Sequence, residues 1–257
     1  MIDSNHGTQP LSIFPIPVQG EIRAGDDLTA KLLSAIKETR FVLIAGDILI
    51  VKHKIVSKAE NQLVELDSVA PSESSLAWAN SYGLDARTTE LALMQSKRVV
   101  RQERGVLITQ TNHGFVCANS GVDVSNVDGG RCALLLPNDP DKSAKNIHSE
   151  MRRLLKLHIP VIITDTFGRP WREGLTEAAI GVAGMKAIHD YRGHNDPHGY
   201  PLRVSLEAVA DELACAAGLV CGKLARVPAC IVRGFPYQLA EGSAAELIRP
   251  ADRDLFQ

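Results

Sequence analysis

The sequence predicts an α+β fold in which mixed sheets pack against helices. Short β-branched segments recur along the chain, helical patterns lie between some of them, and the two kinds of segment do not alternate strictly. The 257 residues are 45% hydrophobic, which is enough for a substantial core. Residues 1–10 are polar and are predicted to be a flexible tail, and residues 11–257 are predicted to form a single domain.

The first elements are an edge strand, a helix and a second strand. The edge strand is predicted for LSIFPIPV, because its prolines cannot donate hydrogen bonds to a central ladder. The helix is predicted for GDDLTAKLLSAIKETR, which has aspartate at a plausible N-cap and apolar residues at helical spacing. The second strand is predicted for GDILIVKHKIVSK, in which Lys58 stands just beyond the apolar run.

The next segments predict two helices and a hairpin. The helices are predicted for SESSLAWANSYG, which Gly83 would end, and for ARTTELALMQSKRVVRQE. Two strands that join at a turn are predicted for GVLITQT and FVCANSG, since their apolar and polar residues alternate.

The C-terminal half predicts two more helices and two strands, the first of them buried. The helices are predicted for SAKNIHSEMRRLLKLH and for the alanine-rich SLEAVADELACAAGLVCGK. The strands are predicted for IPVIITDT and VPACIVRGF. The small-residue segment TEAAIGVAGMKAIHDYRG is either a strand followed by a loop or a tightly packed segment.

The composition excludes several classes of protein. Lysine and arginine total 28 against 30 aspartate and glutamate, and no basic run of five appears, so a nucleic-acid partner is not expected. No apolar run approaches the roughly 18 residues of a membrane helix, and the N-terminus lacks the pattern of a signal peptide. The five cysteines form no CxxC pair and are typical of reduced thiols. The sequence therefore predicts a cytoplasmic protein without a membrane partner.

A first candidate site lies at the end of the apolar segment VIITDT. Asp165 and Thr166 offer hard oxygen ligands, which suit Mg²⁺ or Mn²⁺ and through the ion a phosphate group. Arg169 and Arg172 follow and could pair with phosphate or carboxylate oxygens. The alternative has equal weight: Asp165 caps a turn and the arginines are solvated.

A second candidate site lies in CANSGVDVSNVDGG, where Asp123 and Asn126 stand among glycines. Taken alone, such a cluster is more often a turn than a site. Asp123 and Asp165 could nevertheless hold one divalent cation from two different loops, as phosphoryl-transfer sites do. No P-loop accompanies them, so Lys58 is the candidate phosphate-binding lysine, with an exposed strand-end lysine as the safer alternative.

One acidic pair is interpreted as structural. Glu207 and Asp211 are four residues apart in the predicted alanine-rich helix and would share one of its faces. Such a pair is more often a solvated helix face than an acid/base pair.

Several segments in order resemble one family. They are GDILIVKHKIVSKAEN, CANSGVDVSNVDGG, LLPNDPDKSA, VIITDTFGRPWREGLTEAAIGVAGMKAIHDYRG, DPHGYPL, VADELACAAGLV and VPACIVRG. Together they are similar to the coenzyme F420:L-glutamate ligases, or F420-0:γ-glutamyl ligases, including the N-terminal domain of the bacterial two-domain form. The resemblance runs from about Phe14 to Phe235. No C-terminal nitroreductase-like domain is expected within these 257 residues.

The resemblance implies an enzyme that uses GTP to add L-glutamate to coenzyme F420-0, first as an amide and then through γ-glutamyl linkages. An acyl phosphate would be the intermediate. The implied fold is peculiar to the family, and the implied assembly is an intertwined homodimer. The implied cofactors are two divalent cations, Mg²⁺ or Mn²⁺, and K⁺. The alternatives are an amide ligase acting on a different carboxylate and a catalytically inactive GTP-binding module.

The resemblance also assigns roles to residues. Asp123 and Asp165 match metal-binding carboxylates on which catalysis depends, and Thr166 matches a residue at the second metal. Asn126 matches a GTP contact, and Lys58 would lie near the triphosphate. The chain departs from the family at Lys223, where some members carry an acidic ligand to the second metal. This lysine could replace the charge of that ion or contact phosphate directly. A second departure, in PVQGEIRAGDD, leaves the GTP contacts of residues 19–22 open.

Overall fold

The computed structural model describes residues 10–124 and 128–255, and in these ranges the chain forms twelve strands and six α-helices. The strands are β1 Ser12–Ile16, β2 Ile48–Lys52, β3 Leu63–Glu65, β4 Ser96–Glu103, β5 Val106–Thr111, β6 Val116–Ala118, β7 Cys132–Leu134, β8 Val161–Arg169, β9 Arg172–Ala183, β10 His189–Asp190, β11 Leu206–Glu207 and β12 Ala229–Arg233. The helices are α1 Leu28–Glu38, α2 His53–Ala59, α3 Glu73–Tyr82, α4 Ala86–Met94, α5 Pro140–Leu155 and α6 Val209–Cys221.

A five-stranded mixed sheet, in the order β1-β12-β2-β8-β9, forms the centre of the fold. Its central pair, β2 and β8, is parallel, and its other neighbours are antiparallel. Smaller sheets are formed by β4-β5-β6, by β3-β7 and by β10-β11. This mixture confirms the predicted α+β class. In the part of the chain that the structure describes, no helix combines the length and apolar character that crossing a bilayer requires.

Alternate residues of the central strands enter two separate cores. Leu49, Val51 and Ile163 lie in the core that α1, α2 and α5 cover. Ile50 and Ile162 lie on the opposite face, in the core that α6 covers. Successive strand residues point to opposite faces of a sheet, so both faces are buried and these strands consist of continuous apolar runs.

Local sequence features confirm several predicted elements. The helix α1 follows Asp27, whose side chain accepts a hydrogen bond from the Ala30 amide at 2.9 Å. The helix α3 ends at Gly83, which has a φ of 66° that favours glycine. The proline-containing β1 lies at an edge of the sheet, and β5 and β6 form the predicted antiparallel pair.

Three predicted boundaries were wrong. Only the first half of ARTTELALMQSKRVVRQE is helical, because the second half forms β4 and pairs with β5. The segment GDILIVKHKIVSK leaves the sheet after Lys52, and α2 begins at His53. The strand β8 does not end at Asp165 and Thr166 but continues to Arg169, since β9 pairs with its whole length.

The strand β9 contains an extra residue near the middle of its ladder with β8. Ile163 pairs with Gly181 and Thr164 pairs with Ala179, so Ile180 is left over as a β-bulge. The bulge reverses which face of the sheet each side chain in the first half of β9 points to, and it places Glu177 opposite Thr166.

Two helix carboxylates satisfy backbone amides beside this bulge. Asp211 in α6 accepts a hydrogen bond from the Ala179 amide at 2.8 Å, and Asp141 in α5 accepts one from the Val182 amide at 2.8 Å. Burial raises the pKa of Asp211. The predicted pairing of Glu207 with Asp211 on one helix face was wrong, because Glu207 lies in β11 and α6 begins at Val209.

His148, on the buried side of α5, is expected to make stability depend on pH. Its Nδ1 lies 2.8 Å from the carbonyl oxygen of Ile159, so the neutral ring donates there. Burial lowers the pKa of His148, and the nearby His158 and Arg152 lower it further. In the unfolded chain, His148 binds a proton near the ordinary histidine pKa of about 6.5, whereas the folded protein binds this proton only at a lower pH. Protonation of His148 therefore does not affect the free energy of unfolding above that pKa, and the free energy of unfolding decreases as the pH falls below it.

Urea unfolding between about pH 5 and pH 8 should reveal this dependence. The free energy of unfolding of the wild type should fall towards acid more steeply than that of His148→Gln. His194→Gln removes an exposed histidine and should match the wild type. An unchanged slope in His148→Gln would contradict the assignment.

Candidate functional site

Two polar clusters lie on opposite faces of the central sheet, where β2 ends and β8 continues. The α2 cluster consists of His53, Ser57 and Asp165, together with the Lys54–Asp123 ion pair. The α6 cluster consists of Lys52, Thr164, Thr166, Glu177 and Lys223. Because neighbouring strand residues face opposite sides, Asp165 belongs to one cluster and Thr166 to the other. The structure thus separates two side chains that are adjacent in sequence.

Asp165 is held by the first turn of α2. One oxygen of its carboxylate, Oδ1, lies 3.2 Å from His53 Nε2 and accepts the Thr166 amide at 2.7 Å. The other ring nitrogen, His53 Nδ1, lies 3.2 Å from Ser57 Oγ. His53 and Ser57 are buried. The imidazole therefore fixes the orientation of the carboxylate, as histidines and carboxylates around functional sites commonly do.

Cys117 lies close enough to Asp165 for their electrostatic interaction to matter. Burial, followed by the negative charge of Asp165, raises the pKa of Cys117 to about 12. A thiol with that pKa is protonated at neutral pH, so Cys117 does not act as a thiolate nucleophile.

Asp123 is positioned by backbone pairing. Its amide donates to the Leu134 carbonyl at 3.0 Å, and the Leu134 amide donates to the Asp123 carbonyl at 2.8 Å. Its side chain forms an ion pair with Lys54. Lys54 follows His53 directly, so the two predicted aspartates contact neighbouring residues of α2.

The donor chemistry of Asp123 and Asp165 fits a divalent cation. Two carboxylates supply hard oxygens and negative charge, and Mg²⁺ in proteins commonly uses one or two carboxylates with substrate phosphates and water. Within residues 10–124 and 128–255, no three histidine, cysteine, aspartate or glutamate side chains form a metal-binding group of their own. Asn126, the predicted GTP contact, lies outside the described residues.

Glu177 is the hub of the α6 cluster. Its Oε1 lies 2.5 Å from Lys52 Nζ and accepts the Thr166 hydroxyl at 2.9 Å, and its Oε2 accepts the Thr164 hydroxyl at 3.1 Å. Only 7% of this glutamate is exposed. Its burial is therefore compensated by a complete set of polar partners.

Lys223 reaches the same cluster from the segment after α6. Its Nζ donates to Thr166 Oγ1 at 2.6 Å and lies 4.0 Å from Glu177 Oε1. Two predicted site residues, Thr166 and Lys223, are therefore brought together.

Gly218 makes room for Glu177 beneath α6. A Cβ at position 218 would lie 2.6 Å from Glu177 Cγ, which is closer than packed atoms approach. Alanine favours a helix over glycine by about 1 kcal/mol, but here the clash should dominate. We expect Gly218→Ala to lower the free energy of unfolding by about 1–3 kcal/mol, the range for an overpacked site.

Urea unfolding of Gly218→Ala beside Leu219→Ala tests this prediction. Leu219 is the next residue of α6 and is exposed, so its substitution should have little effect. A Gly218→Ala variant as stable as the wild type would show that the helix and Glu177 are not tightly packed.

Two other predicted groups make contacts outside these clusters. Lys58 lies in the last turn of α2, and its Nζ is 3.3 Å from Glu21 Oε1, in the segment where the chain departs from the family pattern. Arg169 donates to the backbone carbonyls of Glu173 and Gly174 in its own hairpin. The guanidinium of Arg169 is thus used structurally.

The sequence interpretation missed Lys52, His53, Lys54 and Glu177. The first three could have been found, because polar residues that directly follow a buried strand mark the end of an α/β sheet at which ligands bind. Glu177 stands in a small-residue segment and has no local feature that identifies it.

Comparison with known proteins agrees with the resemblance. The sequence model of the F420-0:gamma-glutamyl ligase family matches residues 18–234. Coenzyme F420:L-glutamate ligase of Methanothermobacter thermautotrophicus is 40% identical over 254 residues, which cover 98% of this chain and 99% of that relative. The protein of the same name from Methanopyrus kandleri is also 40% identical, over 98% and 99% of the two chains. That of Methanocaldococcus jannaschii is 38% identical over 82% and 85%. This chain therefore belongs to the F420-0:gamma-glutamyl ligase family.

Proposed function

We propose that this protein is a ligase that adds L-glutamate to coenzyme F420-0. The observation that carries the proposal is the 40% identity, over almost the full length of both chains, to two proteins named coenzyme F420:L-glutamate ligase. The contacts of Asp123 and Asp165 with adjacent residues of α2 support it, since they bring both carboxylates to the first turn of one helix.

The proposed chemistry follows from the low reactivity of a carboxylate. A carboxylate oxygen of F420-0 attacks the γ-phosphorus of GTP, GDP leaves, and an acyl phosphate forms. The amine of L-glutamate, after losing a proton, attacks the acyl carbon, and inorganic phosphate leaves. Charge develops mainly on phosphate oxygens, so the protein must neutralise charge and align the reactants. A covalent protein nucleophile is not needed.

The proposal gives each residue of the α2 cluster a task. Asp123 and Asp165 would hold Mg²⁺ or Mn²⁺, which neutralises phosphate charge when bound. His53 keeps the Asp165 carboxylate oriented. Lys58 would exchange its exposed partner Glu21 for the triphosphate, and Asn126 would contact GTP.

The wider proposal covers assembly, location and product. It includes a homodimer in the cytoplasm, assistance by K⁺, and further additions of glutamate through γ-glutamyl linkages. These features rest on the family resemblance.

A direct assay tests the proposal. The protein is incubated with F420-0, L-glutamate, Mn²⁺ and GTP, and the product is measured by mass spectrometry. We expect a product heavier by one glutamyl residue, together with one GDP released per amide bond. The absence of this product with any nucleoside triphosphate would refute the proposed function, and a requirement for ATP would refute the choice of GTP.

A further inference from the structure

In the α6 cluster, lysine side chains of the protein already neutralise the negative charge of the oxygen ligands. Glu177 carries one negative charge, and Lys52 and Lys223 carry two positive charges in contact with it or with Thr166. The formal charge of the cluster is therefore positive. A divalent cation at Thr166 would lie beside two ammonium groups and would be opposed by both of them.

The hydrogen bonds of Thr166 lead to the same conclusion. Its hydroxyl donates to Glu177 Oε1 at 2.9 Å, and its oxygen accepts from Lys223 Nζ at 2.6 Å. Glu177, the carboxylate beside Thr166, already has Lys52 at 2.5 Å. The position that a cation would take against Thr166 is thus held by the Lys223 ammonium.

We infer that the ammonium of Lys223 is the resident cation of the α6 cluster and that no second divalent ion binds at Thr166. This inference rests on the proposed function, in which a first divalent ion binds Asp123 and Asp165 on the opposite face. An ammonium group has three donors, and Thr166 takes one of them. Lys223 is 65% exposed at its side chain, so it can also donate to an anionic oxygen of a bound phosphate or carboxylate.

Counting bound Mn²⁺ tests the inference without turnover. Free Mn²⁺ is titrated by electron paramagnetic resonance against the full chain, with and without GDP. The variants are Thr166→Val, which removes the hydroxyl at similar volume, and Lys223→Glu, which replaces the resident cation with a carboxylate. We expect the same count in Thr166→Val as in the wild type, and one additional ion in Lys223→Glu.

Two results would overturn the inference. One is a wild-type ion that is lost in Thr166→Val, and the other is a Lys223→Glu variant that gains none. Circular dichroism and thermal melting of both variants verify that they are folded. The product assay is separate: failure to form the glutamyl product refutes the proposed function, whereas the ion counts decide the role of Lys223.

Discussion

Replacing Asp165 with asparagine is expected to lower the rate of glutamyl ligation by roughly 10²–10³-fold, the range for losing one preorganised electrostatic group. Asparagine has nearly the same shape, and its oxygen can still accept the Thr166 amide that now donates to Asp165 Oδ1. What the variant lacks is the negative charge opposite His53. Initial rates by mass spectrometry, with circular dichroism as a measure of folding, should show a folded and nearly inactive protein.

The matched control makes the same change of charge elsewhere. Asp67→Asn neutralises an aspartate with a side chain that is 92% exposed and paired with Arg87 on the surface. Its rate should equal that of the wild type. A wild-type rate in Asp165→Asn would show that this carboxylate neither holds a cation nor shapes the site.

Replacing Arg233 with methionine is expected to lower the free energy of unfolding by about 3–5 kcal/mol, the typical cost of leaving one partner of a buried ion pair alone. Asp47 precedes β2 and is fully buried, and both of its oxygens accept from Arg233 in β12 at 2.6 and 2.7 Å. The same guanidinium donates to the Val42 carbonyl and lies 4.5 Å from the centre of the Phe41 ring. Methionine keeps part of the apolar packing but leaves the buried carboxylate unpaired.

Urea unfolding of Arg233→Met and two further variants distinguishes the cost of the unpaired charge from the cost of lost packing. Arg153→Met removes an exposed arginine paired with Glu150 and should change stability little. The double variant Asp47→Leu/Arg233→Met removes both charges and should recover much of the stability lost in Arg233→Met. If the double variant were as unstable as the single one, the loss would come from packing instead of the unpaired carboxylate.

Elements with strong local patterns could be predicted from the sequence. Asp27 satisfies an amide at the start of α1, and Gly83 adopts the conformation that ends α3, so each boundary depends on residues next to it. The strand β4 could not be predicted in this way. Its residues are mostly exposed and polar, and pairing with β5 stabilises them as a strand.

The candidate site shows the same limit. The sequence predicts Asp123, Asp165 and Thr166 as site residues, because they stand in polar segments beside apolar strands. Which of them share a face could not be predicted, because it depends on the alternation along β8 and on its pairing with β9. Glu177 was missed for the same reason: its partners Lys52 and Thr164 come from two other strands.

The extra residue at Ile180 has a consequence for how this sequence can change. If Ile180 paired with Thr164 instead of forming the bulge, Glu177 would pair with Phe167 and point toward the side of Asp165, where it would leave Lys52 without its carboxylate. The distribution of charge between the two faces thus depends on the number of residues in β9 as much as on their identity. Substitutions of Ile180 by other apolar residues would keep that number, whereas insertion of one residue between Glu177 and the bulge would move Glu177 opposite Phe167 and exchange the faces. Length variation should accordingly be far less tolerated in this strand than in the surface turns.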